Sequence, residues 1–487
     1  MLYTGDIFAE TGRLQFFTYS KFSMSKLTSS QVQLHNRQKL LLQVQNEVRQ
    51  YRLQSLHRGV LTYLAQETPP LKMRRIWDVE LKVSHHPSVR LTNDTGIIQV
   101  FDRLNGRLLI LGSTGSGKTT TLIGLAKVLV SRAQTDVEEP IPVLLDLSTW
   151  KNPDQLIMDW IVEQLHIKYG ISIAVVQNWI QQLQILPLID GLDKLSLNQQ
   201  VKYIQQINQM LNGDVSPLHL VICANVISYQ KLSERLDLNG AIFLRPLTIP
   251  QIKDYLINSR SRELWHNIET DKPLLNLAKT PLYLTMMTLA YEEILIMSWK
   301  HLNSFEEQRD YLFNAYIRRQ LNQDIHKSQY LPGKAPKSEG FRRWLGWLAT
   351  RLITDEVTEF SVEKIPIHWL DENEQKQRYK LILKLILGLI WGIILILILA
   401  GVILRTTPLL ILGMGLGLLW AILLEKSGLK QKIEQFVIRW ILWKDGNIPW
   451  NYQRFLNDAT DKLLLQKNGD RYRFINRLLR DHFYNKI

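Results

Sequence analysis

Apolar and polar positions fall into blocks that predict a strand, a loop and a helix near residue 110. The apolar run Leu108–Leu111 is typical of a buried strand, and the glycine-rich residues 112–119 interrupt it. Apolar residues then recur at helical spacing over Thr119–Val130. A second apolar run, residues 183–189, ends at Asp190 and predicts another buried strand that terminates in a carboxylate.

A longer apolar block occurs near residue 390. Residues 385–404 carry no charge and are apolar on every side of a helix, and they reach the length of about 20 residues that crossing a bilayer requires. A second block, residues 406–424, is shorter in its apolar part, and Pro408 argues against one continuous helix. The pattern predicts a transmembrane helical hairpin. A buried helix of a soluble protein is the alternative for either block.

Basic residues flank this hairpin on both outer sides. The positive-inside rule places both flanks, and so both termini, in the cytoplasm, with only the turn at Arg405 outside. The pairs Gly388/Gly392 and Gly413/Gly417 have the spacing that lets helices approach closely, within one hairpin or between protomers. We therefore expect a multi-pass protein of the inner (plasma) membrane. The flanking basic residues are Lys376, Arg378, Lys380, Lys384, Lys426, Lys430 and Lys432.

The glycine-rich block after the first strand has the sequence of a phosphate-binding loop. Its glycines allow successive backbone N–H groups to point at a phosphate chain, and the helix N-terminus adds partial positive charge. We expect Lys118 to reach the β- and γ-phosphates and the Thr119 hydroxyl to bind Mg²⁺. The predicted nucleotide-binding residues are Gly112, Ser113, Thr114, Gly115, Ser116, Gly117, Lys118, Thr119 and Thr120.

A phosphate loop of this kind needs a carboxylate at the end of a nearby strand to hold the metal ion. Asp190 meets this requirement, Gly191 leaves room for phosphate, and Asp193 offers a further acid near the attacking water. The sequence therefore predicts a magnesium site at Thr119 and Asp190, with Asp190 and Asp193 as candidate catalytic residues.

Composition favours a multi-domain cytosolic regulator over a compact enzyme. The chain has 487 residues, more than one hydrophobic core usually supports, and a net charge of +14. Its single cysteine, Cys223, excludes internal disulfides and lies in an apolar run, as a small core residue would. The basic residues crowd the membrane flanks and the stretch from Lys467 to Arg480, where anionic lipid would attract them.

These motifs resemble those of the NACHT family of STAND signalling NTPases, particularly the NACHT proteins of cyanobacteria. The resemblance covers most of the chain from about residue 36, and it implies an ATP or ADP ligand and a closed and an open state, opening usually driving self-association. It also implies a nucleotide contact at Pro246. The matching segments are Leu108–Leu122, Ile141–Trp150, Asp190–Asp193, Leu220–Cys223, Leu244–Thr248, Thr280–Leu284 and Trp450–Phe483.

Three positions depart from the family pattern where charged groups normally meet the nucleotide. Lys194 stands where the family usually has Glu, Asn225 where it has Arg, and Asn476 where it has His. A single Arg aimed at the transferred phosphoryl group can be worth about 10³ to 10⁵ in rate. We therefore expect ATP binding with very slow hydrolysis, unless a neighbour such as Asp193 compensates.

The predicted fold class is an α/β P-loop NTPase domain followed by helical domains, a transmembrane helical hairpin and a C-terminal winged-helix-like segment. The N-terminal part is predicted to be a flexible tail and a helical region. After the hairpin, a helix with Trp440 and Trp443 is predicted to lie on the membrane surface or to face the core of the last domain. The predicted boundaries are 1–35 (tail), 36–91 (helical region), 92–246 (NTPase), 247–375 (helical domains), 385–424 (hairpin) and 430–487 (interfacial helix and winged-helix-like segment).

These features predict a membrane-anchored, ATP/ADP-binding signalling switch whose nucleotide state controls assembly. The expected partners are the lipid bilayer, further copies of the chain through the nucleotide domain and the hairpin, and an unidentified protein; nucleic acid is not expected, because no nucleic-acid module is visible. The alternative is a catalytically silent nucleotide-binding scaffold at the membrane. A transporter is disfavoured because the two apolar blocks contain no acid or base.

Overall fold

The computed structural model describes most of the chain from residue 29 onward. The predicted tail therefore lies largely outside the described residues, although a helix begins at Ser29, within the range predicted for it. The second predicted membrane block, 406–424, is described only in part. The described ranges are 29–56, 79–83, 89–90, 96–152, 154–213, 216–259, 261–294, 296–299, 301–302, 304–322, 330, 335–371, 374–404, 407–408, 411–412, 414–416 and 429–486.

A central sheet organises the N-terminal half. Its strands are β1 (Val79–Val83), β2 (Val89–Arg90), β3 (Arg107–Gly112), β4 (Ile141–Asp146), β5 (Ile185–Asp190), β6 (Leu220–Asn225) and β7 (Gly240–Leu244). They are arranged in the order β2-β1-β7-β3-β6-β5-β4. The five strands from β7 to β4 are parallel, while β1 and β2 are antiparallel at one edge. The predicted α/β sheet with a phosphate loop is confirmed.

The parallel strands are continuous apolar runs because helices cover both faces of the sheet. In β3 and β6 nearly every side chain is buried, and Cys223 in β6 is fully buried, as predicted. The strands end together: Gly112 is the register partner of Asn225, and Asp146 is that of Asp190. Gly112, Asn225, Asp146 and Asp190 therefore all lie at the carboxyl ends of these parallel strands.

The helices of this half connect the strands and close the core. The helix after β3 begins at Lys118, one residue before the predicted stretch Thr119–Val130, and packs against the N-terminal helix, whose Leu40 and Val44 are buried in the same core. The Arg37 side chain fixes that contact by donating hydrogen bonds to three backbone carbonyls at and beyond the helix end. The helices are Ser29–Leu53, Ile97–Arg103, Lys118–Thr135, Ile157–Tyr169, Ile173–Gln181, Leu197–Leu211 and Val226–Gln230.

The C-terminal half is mainly helical and shares one hydrophobic core, which comprises residues between Leu247 and Phe483 together with Leu56. It includes a small antiparallel sheet in the order β8-β10-β9, with β8 at Phe360–Ser361, β9 at Leu465–Asn468 and β10 at Arg471–Phe474. We call residues 465–484, which comprise β9, β10 and the last helix, the closing segment. The helices are Ile249–Asn258, Arg262–Thr270, Lys272–Ala278, Pro281–Ala290, Ile296–Trp299, Phe305–Asn322, Ser338–Thr354, Gln375–Ile403, Leu429–Lys444, Tyr452–Asp461 and Arg477–Tyr484.

One described helix is long and apolar enough to cross a membrane. This helix, Gln375–Ile403, covers the first predicted block, 385–404, except for its last residue. Its most apolar window has a mean hydropathy of 2.9, and 6% of that window is buried. A single such helix is weak evidence for a membrane span, so the two-span arrangement stays a prediction. The following helix, Leu429–Lys444, buries Val437, Ile438 and Ile441 in the C-terminal core and leaves Trp443 42% exposed.

Candidate functional site

The phosphate loop, residues 112–119, is a tight turn between β3 and the helix that starts at Lys118. Gly117 has φ +97°, a left-handed conformation that a residue with a side chain rarely adopts. A Cβ added at Gly112 would lie 2.3 Å from Ser116 Oγ, so a side chain at that position would force Ser116 to move. The predicted strand, loop and helix are thus combined as phosphate binding requires.

Lys118 is held over this loop. Its Nζ donates hydrogen bonds to the carbonyl oxygens of Gly112 at 3.0 Å and of Ser113 at 3.1 Å, and the residue is 9% exposed. The ammonium therefore lies within the curve of the loop, where the oxygens of a bound phosphate chain would meet it.

Thr119 and Asp190 meet at the ends of the helix and β5. Thr119 Oγ1 donates to Asp190 Oδ2 at 2.6 Å, and Asp190 Oδ1 accepts from the Gly191 N–H at 2.9 Å. A hydroxyl and a carboxylate are the oxygen ligands that Mg²⁺ takes together with phosphate oxygens and water. The residues therefore fit the predicted metal ion, and across the described chain no cluster of three or more His, Cys, Asp or Glu offers a competing site.

Asn225 contacts the phosphate loop from the end of β6. Its Nδ2 donates to Thr114 Oγ1 at 3.2 Å, while its Oδ1 accepts from the Ile227 and Ser228 N–H groups and caps the helix Val226–Gln230. Asn225 therefore lies beside the phosphate loop, and its side chain brings an amide and no charge.

Lys194 makes an ion pair that the sequence did not indicate. Its Nζ lies 2.6 Å from Asp146 Oδ2, and Asp146 also accepts hydrogen bonds from the N–H and the hydroxyl of Ser148. Burial opposes ionisation of Asp146, but Lys194 and Ser148 outweigh it and lower the pKa of Asp146 to about 2. Burial likewise disfavours the ammonium, whereas Asp146 and Asp190 raise the pKa of Lys194. Both groups are therefore charged at neutral pH.

The closing segment brings three arginines to the site. Arg473, Arg477 and Arg480 line the same cavity as the phosphate loop, and Arg477 Nη1 donates to the Asp193 carbonyl at 3.4 Å. Asn476 lies among them and caps the last helix by accepting the Leu478 N–H at 2.8 Å. Sequence reasoning assigned this basic stretch to membrane lipid. Two sequence patterns indicate that these arginines share one face. Side chains alternate along β10, which contains Arg473, and Arg477 and Arg480 are three residues apart in the last helix.

Arg473 also ties the closing segment to the N-terminal helix. Its guanidinium lies 4.2 Å from the centre of the Tyr51 ring and donates two hydrogen bonds to Gln466 Oε1. Burial disfavours its charge, yet Tyr51 and the carboxylates of Glu359, Asp146 and Asp190 raise the pKa of Arg473. The guanidinium is therefore a cation that interacts with Asp190, the predicted metal ligand.

These groups surround a cavity of about 640 Å³. Of the predicted site residues, Thr114, Gly115, Gly117, Lys118, Thr119, Thr120, Asp190 and Asp193 line it, whereas Gly112, Ser113 and Ser116 do not; Pro246 is exposed and outside the lining, and its neighbour Leu247 is part of it. The lining also includes apolar side chains from the residues after the N-terminal helix, from the helix after the loop and from the helical half. These apolar lining residues include Leu56, Ile123, Leu247, Tyr255 and Leu282.

No family model matches the chain, and no curated protein matches it. Among solved structures, the chain is similar to the Orc1 protein of Aeropyrum pernix in complex with DNA, at 16% identity and a TM-score of 0.29, over 53% of this chain and 69% of that one. It is similar to Cdc6p from Pyrobaculum aerophilum at 12% identity and a TM-score of 0.27, over 80% and 92%. Drosophila ORC bound to DNA matches at 14% identity and a TM-score of 0.27, over 63% and 82%.

These comparisons correct one expectation. Nucleic acid was not expected as a partner, because the sequence shows no nucleic-acid module, but two of the three similar structures are complexes with DNA. The absence of a recognisable nucleic-acid module in the sequence therefore does not exclude nucleic acid as a partner, and the expectation was wrong. At these TM-scores the likeness assigns neither a partner nor an activity to this chain.

Proposed function

We propose that the protein is a nucleotide-controlled switch that binds ATP or ADP with Mg²⁺ in the cavity. The main support for this proposal is the hydrogen bond of 2.6 Å between the Thr119 hydroxyl and the Asp190 carboxylate. Both residues line the cavity, and residues of the C-terminal half line it as well. Lys118 and the loop N–H groups bind the phosphates, and Thr119 and Asp190 hold the metal. Mg²⁺ neutralises phosphate charge when bound.

The apolar side chains of the cavity lining suit a nucleobase. Leu56, Ile123 and Leu282 provide surfaces on which an adenine ring can pack, and Thr285 and Ser55 lie nearby with hydroxyl groups. Ligand pockets commonly combine such apolar walls with a few polar groups that fix orientation. We assign ATP and ADP to this pocket on the combination of phosphate loop and apolar lining residues.

A switching function is supported by how the cavity is built. Its walls come from the N-terminal helix, the NTPase domain, the helical region and the closing segment, so a bound nucleotide touches all four. A ligand that interacts differently with the closed and the open arrangement shifts the balance between them. With the sequence motifs, this supports a signalling NTPase of NACHT/STAND type.

We further propose that the protein is anchored in the membrane by a helical hairpin and self-associates. Support comes from the exposed apolar surface of the helix Gln375–Ile403, on which Leu385, Leu389 and Ile396 are each more than 60% exposed. Water is a poor solvent for a surface of that size, and lipid or another hairpin would cover it.

A second candidate is a catalytically silent nucleotide-binding scaffold. The pairing of Lys194 with Asp146 favours it, because a cation occupies the position at which the family places an acid. Both candidate functions include nucleotide binding, so only a measurement of ATP hydrolysis distinguishes them.

Replacing Lys118 tests nucleotide binding. Lys118→Ala should remove most affinity for both ATP and ADP, by about 100-fold or more, because the phosphates lose a buried cation. Nucleotide content of the purified full-length protein, quantified after denaturation, measures the loss. Lys127→Ala, an exposed lysine on the same helix, is the matched control. Equal nucleotide content in wild type and Lys118→Ala would refute the assignment.

A further inference from the structure

The ion pair of Lys194 lies on the cavity wall. Lys194 Nζ is 2.6 Å from Asp146 Oδ2, and the same oxygen accepts a hydrogen bond from Thr358 Oγ1 at 3.2 Å. The two charged side chains are 23% and 24% exposed, and Lys194 lines the cavity. The ammonium therefore has a charged partner in the wall and can also be reached from the cavity.

The position of this ammonium relative to the metal site follows from the sheet. Asp146 and Asp190 are register partners at the ends of the adjacent strands β4 and β5, so their backbones are about 5 Å apart. The Lys194 stem passes Gly191, where an added Cβ would lie 3.1 Å from Lys194 Cδ. The ammonium thus lies about one strand spacing from the metal-binding carboxylate, on the side of β5 away from β3 and the phosphate loop.

Building on the proposed nucleotide function, we propose that Lys194 recognises the third phosphate and exchanges Asp146 for γ-phosphate oxygens when a nucleoside triphosphate binds. In the proposed complex the phosphate loop and Lys118 would hold the β-phosphate, and Thr119 and Asp190 would hold Mg²⁺, which would neutralise phosphate charge. The chain of phosphates therefore extends from Lys118 past Asp190 toward Lys194. A diphosphate ends before it and leaves Lys194 on Asp146.

The exchange affects the contact between the two halves of the protein. Once Lys194 has left, Asp146 is a poorly solvated carboxylate beside a phosphate of the same sign, and such a charge is costly. Asp146 bonds directly to Thr358, and the nearby Lys151 Nζ donates to the Asp355 carbonyl at 3.4 Å. Triphosphate binding therefore changes the charge balance at the contact between the NTPase domain and residues 355–358, whereas diphosphate binding leaves it as it is.

Calorimetry with two nucleotides tests this proposal. Full-length protein in nanodiscs, stripped of nucleotide, is titrated with Mg-ADP and with the Mg complex of an ATP analogue that carries a β,γ-imido bridge. Lys194→Met should lower the affinity for the analogue by about 10- to 100-fold, the value of a hydrogen bond between charged groups, with ADP affinity nearly unchanged. Asp146→Asn should raise the affinity for the analogue, because Lys194 no longer has a competing partner.

Two further variants separate recognition from folding. Asp146→Asn combined with Lys194→Met leaves no unpaired charge in the wall and should show the same selective loss, while Lys127→Met should bind both nucleotides like wild type. Equal loss of ADP and analogue in the double variant, or no loss in either Lys194 variant, would overturn the Lys194 proposal and leave the nucleotide site intact. Failure of the wild type to bind either nucleotide would overturn the proposed function instead.

Discussion

Asn225 and Asn476 each cap a helix beside the nucleotide cavity, so their side-chain oxygens are already bound to backbone N–H groups. A capping amide stabilises its helix by about 1 kcal/mol, but it brings no charge to a transition state. The arginines of the closing segment supply positive charge in the same cavity. At the level of single residues the site is therefore well equipped to bind phosphate and poorly equipped to activate water.

Wild-type protein is accordingly expected to bind Mg-ATP and to hydrolyse it very slowly. Asn225→Arg and Asn476→His together should raise the single-turnover rate, because the arginine would bring a cation and the histidine a further hydrogen-bond donor to the phosphates, and one such arginine can contribute about 10³-fold or more. The gain should not be additive, because both groups act at one site. Rapid wild-type turnover that Lys118→Ala abolishes would contradict this expectation and would remove the scaffold candidate.

Restoring the family acid at the third position has a different expected outcome. The sequence alone suggests that Lys194→Glu should also raise hydrolysis. In the structure this change places a carboxylate between Asp146 and Asp190, where three like charges repel one another. We expect Lys194→Glu alone to lose ATP affinity without gaining rate, and a gain to require Asp146→Asn in the same chain; single-turnover assays of both variants measure this.

Local patterns made the phosphate loop, its flanking strand and helix, and Asp190 predictable, because each depends on neighbours within a few residues. The partners of Lys194 and Asp193 were not predictable in this way. Asp146 lies 48 positions from Lys194, and Arg477 lies 284 positions from Asp193. Only the sheet register and the packing of the closing segment bring these residues together.

At the scale of elements, the helix Gln375–Ile403 differs from the other long helices of the C-terminal half. The helix Ser338–Thr354 buries an apolar stripe in the shared core, whereas the apolar residues of Gln375–Ile403 beyond its first turns are largely exposed. Its first turn is anchored to the C-terminal half, where Gln375 and Arg378 bond to Asp445. The apolar part thus projects from a fixed base.

Reporter fusions test the predicted topology. Fusions at residue 375 and at the C-terminus should both report the cytoplasm, because basic residues flank the hairpin on both sides. An alkaline phosphatase and green fluorescent protein pair distinguishes the two compartments. An external C-terminus would mean that only the first block spans the membrane.

At the scale of the whole molecule, the N-terminal helix joins the NTPase domain to the closing segment. Glu47, 4% exposed, pairs with Lys168 at 2.6 Å and accepts hydrogen bonds from Tyr169 and, at 3.2 Å, from Asn468. On the same helix Tyr51 packs against Arg473. One buried carboxylate therefore links three parts of the chain.

Glu47→Gln should weaken this link. Removing the charge leaves Lys168 with the Leu144 carbonyl as acceptor but without its charged partner, and should cost about 2 kcal/mol of stability. Because the closing segment also covers the cavity, we expect ADP to dissociate several-fold faster. Thermal unfolding and stopped-flow release of a fluorescent ADP measure the two effects, and Glu269→Gln, at an exposed position, is the control. If the melting temperature falls while the rate of ADP release is unchanged, Glu47 contributes to stability only, and the predicted effect on ADP release is wrong.

The distribution of the cavity walls along the chain also sets an order of events during synthesis. The walls begin at Tyr51 and end at Arg480, and the long apolar helix lies between them in sequence. A ribosome adds about 5–20 residues per second, so Arg480 is synthesised about 4–15 s after the end of that helix. In the proposed arrangement the nascent protein is therefore already in the membrane when its cavity first closes. The protein then binds its first nucleotide from the cytosol only after its hairpin is anchored in the membrane.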